Sequence, residues 1–164
     1  MFNIDYIELF GNLPPELSVF LISLIPIAEL RASIPVALGV YNMPVWKAIA
    51  LSVAGDIFVA FLIIYFLDIV YNFLKGRFGP VDRFFFWLFK RSRKKFFNKY
   101  EIWGSIALVI FVAIPLPATG AWTGSIASWL FGITKARSLI YVSLGVIISA
   151  VIVTLISLGA LALW

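Results

Sequence analysis

Two oppositely charged residues, Glu29 and Arg31, stand two positions apart in a strongly apolar part of the sequence. Residues 17–28 before them and residues 32–46 after them carry no charge. A charged side chain at bilayer depth costs roughly 2.5–3.5 kcal/mol on insertion scales and usually marks the path of a substrate or an ion. Because a carboxyl group in a low-dielectric setting holds a proton more readily, we expect Glu29 to take up and release one. We expect Arg31 to bind an anionic group.

Two prolines, Pro26 and Pro35, flank this charged pair. Because proline breaks the interior of a helix, both are predicted to interrupt the helix, one on each side of the pair. Non-helical backbone at bilayer depth is tolerated only where it is buried in protein or lines a wet cavity. The pattern therefore predicts a re-entrant hairpin with Glu29 and Arg31 at its tip. The alternative is that the two charges pair with each other or with the backbone and only hold the hairpin folded.

Asp56 is a further charge in apolar sequence. It belongs to a helix face of small or polar residues spaced four positions apart, namely Ala48, Ser52, Asp56 and Ala60. Such faces pack closely against neighbouring helices or line a cavity. Asp56 is therefore predicted either to relay a proton or bind a cation, or to act as a structural partner of the hairpin.

A second candidate tip, residues 115–125, carries no charge but is rich in hydroxyl groups and glycine. The N–H groups at the N-terminus of a half-helix attract anions, so this tip is a candidate substrate site. Glycines four positions apart are equally typical of simple helix packing. The candidate binding residues are Thr119, Gly120, Thr123 and Ser125, and Trp122 is either a lid over the site or an ordinary packed aromatic residue.

The composition indicates an integral membrane protein. Of 164 residues, 63% are hydrophobic and 13% are charged, whereas a soluble domain carries about 25% charged residues. The sequence has no cysteine and no histidine, which removes disulfides, the usual zinc, haem and iron–sulfur ligand sets, and Ser–His or Cys–His nucleophile pairs. We expect neither an enzyme nor a cofactor.

The chain contains four apolar regions of two kinds. Residues 48–70 and 138–164 are each long enough to cross a hydrocarbon core of about 30 Å. Residues 17–41 and 102–134 are interrupted by proline, glycine or charge, and each is predicted to form two half-helices. The two halves also share local motifs: Ile25-Pro26 matches Ile114-Pro115, Lys47 matches Arg137, and Gly55 matches Gly145.

The predicted fold is an all-α integral membrane protein with two re-entrant hairpins and two full transmembrane helices. Residues 1–70 and 102–164 form two inverted repeats of a single membrane domain that spans residues 1–164. Residues 71–101 are predicted to form an amphipathic linker helix on the cytoplasmic surface of the cell inner (plasma) membrane, which leaves both termini outside. A basic patch in this linker is expected to contact anionic lipid headgroups, not nucleic acid, and comprises Lys90, Arg91, Arg93, Lys94 and Lys95.

Three motifs carry a resemblance to a known family: Pro26-Ile-Ala-Glu29-Leu-Arg31-Ala-Ser-Ile-Pro35, Gly55-Asp56, and residues 115–124. The chain resembles the small multidrug export family, a distant branch of the DedA/VTT superfamily, from about residue 17 to the C-terminus. The resemblance implies two hairpins meeting at the midplane and, from better-known relatives, proton-driven transport or flipping of lipid-linked phosphates. Glu29 and Arg31 would inherit the roles of the hairpin acid and arginine. Those relatives also carry arginine in the second hairpin, where this chain is neutral.

The sequence thus predicts a small secondary transporter or lipid flippase that is proton-coupled and moves an anionic lipid-linked or amphiphilic substrate between the two tips. Two alternatives stay open. One is a small-molecule or multidrug exporter that uses the same residues, and the other is a membrane scaffold whose buried charges are structural. The expected partners are membrane lipids and further copies of the chain, because two crossings shield a polar path thinly.

Overall fold

The computed structural model describes residues 13–74, 101–116 and 119–163, with the backbone alone for residues 74 and 101–103. These residues form six helices, and an order of short, short, long occurs twice. The predicted all-α fold is thus confirmed. The first set is α1 Pro15–Ser23, α2 Glu29–Gly39 and α3 Val45–Leu74, and the second is α4 Glu101–Ala113, α5 Ala121–Leu130 and α6 Lys135–Ala162. The basic patch (Lys90, Arg91, Arg93, Lys94 and Lys95) and most of the predicted linker lie outside the described residues.

Both interrupted regions consist of two short helices, as predicted. The first break contains Pro26 and ends at Glu29, whose φ of 44° is unusual for a residue with a side chain. The prediction that Pro35 also breaks the helix is wrong, because α2 continues through it to Gly39. Because Pro35 has no N–H group, the helix loses a single hydrogen bond there. The Pro35 side chain lies on the exposed face of α2, whereas the neighbouring Ile34 is fully buried in the core, and this burial holds the helix together.

The two long helices run antiparallel. At one end, Lys135 Nζ at the start of α6 lies 2.7 Å from Asp68 Oδ2 near the end of α3. At the other end, Gly39, which precedes α3, lies against the Leu161 side chain near the end of α6. Val45–Phe73 and Lys135–Ala162 are both long and apolar enough to cross a membrane.

The outer faces of the long helices fit a membrane protein. Large apolar side chains are exposed along both of them, where a soluble protein would place polar groups. Among those exposed on α3 and α6 are Phe58, Phe66, Ile69, Ile147 and Leu155.

The paired glycines of the sequence occupy corresponding packing positions. Gly55 lies ten residues into α3, where a Cβ atom would come within 2.9 Å of the Phe20 carbonyl oxygen of α1. Gly145 lies ten residues into α6, where a Cβ atom would come within 2.9 Å of the Val109 carbonyl oxygen of α4. In each half, glycine therefore lets the long helix approach the first short helix of its own half.

The breaks lie beside the middle of the long helices. Lys47 Nζ is 2.6 Å from Glu16 Oε1, so α1 and α3 begin at the same end, and α1 finishes near Gly55. The long helices pack against each other, and each also packs against the second short helix of the other half. This reciprocal packing brings α2 and α5, which follow the two breaks, into the centre of the bundle.

Candidate functional site

The Glu29 carboxylate lies at the N-terminus of α5, in the other half of the chain. The side chain is 2% exposed, and the Trp122 N–H donates a hydrogen bond to Glu29 Oε1 at 3.3 Å. The Ala121 amide is close to the same carboxylate. Because the first N–H groups of a helix have no partner within the helix, a carboxylate there satisfies them and is stabilised by the helix dipole.

Gly120 provides the space for this contact. It is the N-cap residue of α5 and has a φ of 122°, a conformation that residues with side chains rarely adopt. A Cβ atom at this position would overlap with the Glu29 carboxylate. Gly120 is therefore required both by the backbone turn and by the carboxylate that caps the next helix.

Arg31 makes the complementary contact with the residue before that turn. Its guanidinium donates hydrogen bonds to the Thr119 carbonyl oxygen and, at 2.9 Å, to Thr119 Oγ1. The same guanidinium lies 3.7 Å from Glu29 Oε2. The acid of the first break thus binds N–H groups of the second break, while the base binds its oxygen atoms.

Trp122 adds a further bond in the opposite direction, because its indole N–H donates to the Leu24 carbonyl oxygen at 3.2 Å. We call this set of contacts the junction; it comprises Leu24, Glu29, Arg31, Thr119, Gly120 and Trp122. The junction explains why Glu29 can hold a positive φ, since strained backbone persists where surrounding contacts over-determine it. Trp122 is thus a hydrogen-bonded part of the junction, beyond the two roles considered from sequence.

Asp56 lies behind the junction, near the middle of α3. It is 1% exposed, and neither of its carboxylate oxygens has a hydrogen-bond partner in the described part of the chain. Glu29 and Arg31 are close enough for their charges to act on it, and the Leu30 amide lies nearby without hydrogen-bonding geometry. Burying a carboxylate without hydrogen-bond partners costs free energy. Asp56 is therefore the charged side chain with the fewest stabilising contacts among the buried residues described here.

The other predicted site residues lie further along α5. Thr123 Oγ1 is buried and has no hydrogen-bond partner among the described atoms. The Ser125 hydroxyl donates to the Ala121 carbonyl oxygen at 2.6 Å, within its own helix. The structure therefore brings Thr119 and Gly120 into contact with the charged pair, and places Thr123 and Ser125 about one turn away.

A separate cleft of about 570 Å³ runs between α4 and α6. Its polar lining consists of Arg137, Ser105 and Tyr141, and its remaining walls are aliphatic. None of the residues predicted for the site lines this cleft, which sequence reasoning did not foresee.

Sequence reasoning also missed Leu24 and the role of Trp122. One feature of the sequence could have indicated that a group from elsewhere caps α5, because α5 follows Gly120, which has no side chain to cap the helix. An uncapped helix N-terminus in apolar surroundings requires an acceptor from elsewhere, and Glu29 is one of the two buried carboxylates that could supply it. The pairing itself spans 93 positions, and no local pattern encodes it.

The fold and the junction together define an all-helical membrane protein in which two broken helices meet around a buried acid and arginine. The chain belongs to the family described as putative small multi-drug export protein, whose model matches residues 29–152. This match confirms the resemblance to the small multidrug export family, and it covers the charged pair, Asp56 and the whole second break. No curated protein and no solved structure matches the chain.

Proposed function

We propose that the protein is a small secondary transporter whose substrate site is the junction between the two breaks. The observation that carries this proposal is that Glu29, which is buried, and Arg31, which is partly buried, bind polar backbone groups of the opposite half. Stability alone is a weak reason for such an arrangement, because desolvation of buried charges offsets much of their attraction. The family description, an export protein, supports transport of small molecules.

The substrate class that fits this site is an anionic or zwitterionic amphiphile. Arg31 and the N-terminus of α5 form a pair of anion-binding groups, which Glu29 occupies in this conformation. An anionic headgroup that displaced the Glu29 carboxylate would meet the same N–H groups. The cleft beside Arg137, polar at one part and aliphatic elsewhere, supports an amphiphile and would accept its chains.

The proposed membrane arrangement has both breaks near the midplane, as the tips of re-entrant hairpins in inverted repeats. Support comes from the antiparallel long helices and from the position of the first break beside the middle of α3. The linker would be cytoplasmic and both termini outside the plasma membrane. Kinship with the DedA/VTT superfamily, and lipid flipping as one form of the activity, belong to this same proposal.

Coupling to protons and assembly into oligomers complete the proposal. Glu29 and Asp56 are the titratable groups at the site, and either can hold a proton in a low-dielectric setting. Ile27 and Leu116, which lie in the two breaks, are 82% and 55% exposed. Their exposure supports contact with lipid or with a second copy of the chain, as expected for a homodimer or larger assembly.

The second candidate function is a membrane scaffold without transport. It is favoured by the same hydrogen bonds, since Glu29 and Arg31 join the halves of the molecule whether or not anything passes between them.

Reconstitution in liposomes separates the two functions. The assays would measure efflux of ethidium, a cationic dye, and transbilayer movement of fluorescent phosphatidylglycerol, each under an imposed pH gradient. Glu29→Gln keeps an oxygen acceptor for the α5 amides and removes the charge, so we expect loss of flux with little change in melting temperature. Wild-type protein that moves neither probe, with a Glu29→Gln variant that is clearly destabilised, would support the scaffold. Flux of ethidium alone would indicate an exporter, and flux of the lipid alone a flippase.

A further inference from the structure

Glu29 and Asp56 are both buried acids, but their surroundings differ in a way that separates their roles. Glu29 receives the Trp122 N–H, lies at a helix N-terminus and is 3.7 Å from the Arg31 guanidinium. Asp56 has no hydrogen-bond donor among the described residues although it is 1% exposed. Hydrogen bonds from amides and a nearby guanidinium stabilise the charged form of a carboxylate, whereas burial without donors favours the neutral acid.

The charges around Asp56 reinforce this contrast. Helices α1, α2, α5 and α6 pack against α3. In the described chain, α2 supplies Glu29 and Arg31, and α5 supplies no charge. The other charged side chains that the structure describes lie near helix ends, where Glu16 pairs with Lys47 and Lys135 pairs with Asp68, and Arg137 lies in the first turn of α6. The local set is therefore two carboxylates and one guanidinium, which one bound proton balances.

We infer that Asp56 is the site of an exchangeable proton, and that Glu29 stays charged and caps α5 in the closed state. A proton from water binds one carboxylate oxygen of Asp56 and leaves by the reverse step. A metal cation would instead need several oxygen ligands, whereas the described groups nearest Asp56 include the cationic Arg31 and the Leu30 amide. The inference rests on the proposed function only for its link to transport.

Proton binding at Asp56 would control the junction through Arg31. When Asp56 is neutral, the Arg31 guanidinium keeps its bonds to Thr119. When Asp56 is charged, it attracts Arg31 and repels Glu29, and both effects weaken the contacts that hold the two breaks together. The protonated state is thus the closed state, and loss of the proton favours separation of the breaks.

Infrared difference spectroscopy of the full chain in lipid nanodiscs tests the proton site directly. Between acidic and alkaline buffers, we expect the carbonyl stretch of a protonated carboxylic acid to disappear as pH rises. Asp56→Asn should remove this band, while Asp56→Glu should keep it at a shifted position. The matched control Asp68→Asn should leave it in place, and Glu29→Gln should keep it but shift its loss to lower pH, because a negative charge beside Asp56 is removed. A band lost in Glu29→Gln and kept in Asp56→Asn, or no band in wild-type protein, would overturn the assignment.

Replacing Na⁺ with choline in the same buffers tests for a metal cation. We expect no change in the spectrum, and a carboxylate shift that depends on Na⁺ and vanishes in Asp56→Asn would overturn the proton assignment.

The opening of the junction is tested by electron–electron distance measurements between spin labels on Ile27→Cys and Leu116→Cys. The two labels can be placed there because the chain has no cysteine of its own and both positions are exposed. The distances should broaden at alkaline pH in wild-type background and stay constant in Asp56→Asn; broadening in both would overturn the coupling.

Transport measurements keep this inference separate from the proposed function. Asp56→Asn should lower flux driven by a pH gradient at least tenfold, whereas the control Asp68→Asn should leave that flux unchanged. An unaltered pH dependence of flux in Asp56→Asn would overturn the inference while transport stood. A band assigned to Asp56 in a protein that moves no substrate would overturn the proposed function and leave the proton site in place.

Discussion

At the scale of single residues, the two members of the charged pair act on the same turn of the other half in complementary ways. Glu29 accepts from the amide of Trp122, and Arg31 donates to the oxygen atoms of Thr119. A peptide turn offers donors on one side and acceptors on the other, so an acid and a base two positions apart match both. This complementarity explains the spacing of the pair better than an ion pair alone, because their own separation of 3.7 Å is long for a close salt bridge.

The contact between the two breaks is highly sensitive to substitution of Gly120. Gly120→Ala places a Cβ atom where the Glu29 carboxylate lies and imposes a strained φ. Strain of this kind costs about 1–3 kcal/mol, and loss of a helix cap costs about 0.5–2 kcal/mol. We expect a clear fall in unfolding free energy, measured by chemical denaturation in detergent.

A double-mutant cycle with Glu29→Ala isolates the contact at Gly120. In the Glu29→Ala background the carboxylate is absent, so Gly120→Ala should cost only the backbone strain and its effect should shrink. An equal loss of stability in both backgrounds would show that Glu29 does not occupy the space above Gly120.

At the scale of helices, close packing between a short and a long helix defines each half. Of the glycines on α6, Gly145 is in tight contact with α4, whereas Gly159 has no atom within 4 Å of where a Cβ would lie. The two positions therefore share a helix and differ in packing, which makes them a matched pair for mutation.

Gly145→Ala is expected to destabilise the protein by about 1–3 kcal/mol, as overpacking of a tight interface does. Its new methyl group would lie 2.6 Å from Val112 Cβ and 2.9 Å from the Val109 carbonyl oxygen, and backbone cannot move aside cheaply. Gly159→Ala should leave the melting temperature unchanged or raise it, because alanine favours helix. Similar melting temperatures for the two variants would contradict the packing described for α4 and α6.

At the scale of the whole molecule, the sequence predicted the elements well and their contacts poorly. The long helices follow from uninterrupted apolar runs, and the breaks from Pro26 and from the proline- and glycine-rich residues 115–124. Pro35 was misread, because burial of the opposite face of α2 outweighs one lost hydrogen bond. The junction joins atoms about ninety positions apart, and local periodicity carries no information about which amide a distant carboxylate will meet.

The proposed membrane arrangement makes a prediction about which parts of the molecule water reaches. The long helices are antiparallel, so Trp46 near the start of α3 and Ala136 near the start of α6 lie at opposite ends. Single cysteines are informative because the chain has none. In intact cells, a membrane-impermeant maleimide should label Trp46→Cys from outside, whereas Ala136→Cys should react only after the cells are opened.

The depth of the first break is tested by the exposed Ile27. The Ile27→Cys variant should resist labelling in both conditions, because the first break lies beside the middle of α3, which the hydrocarbon core would shield from water. Rapid labelling of Ile27→Cys would place the charged pair at the aqueous surface, and labelling of Trp46→Cys and Ala136→Cys from one side would contradict the inverted arrangement of the halves.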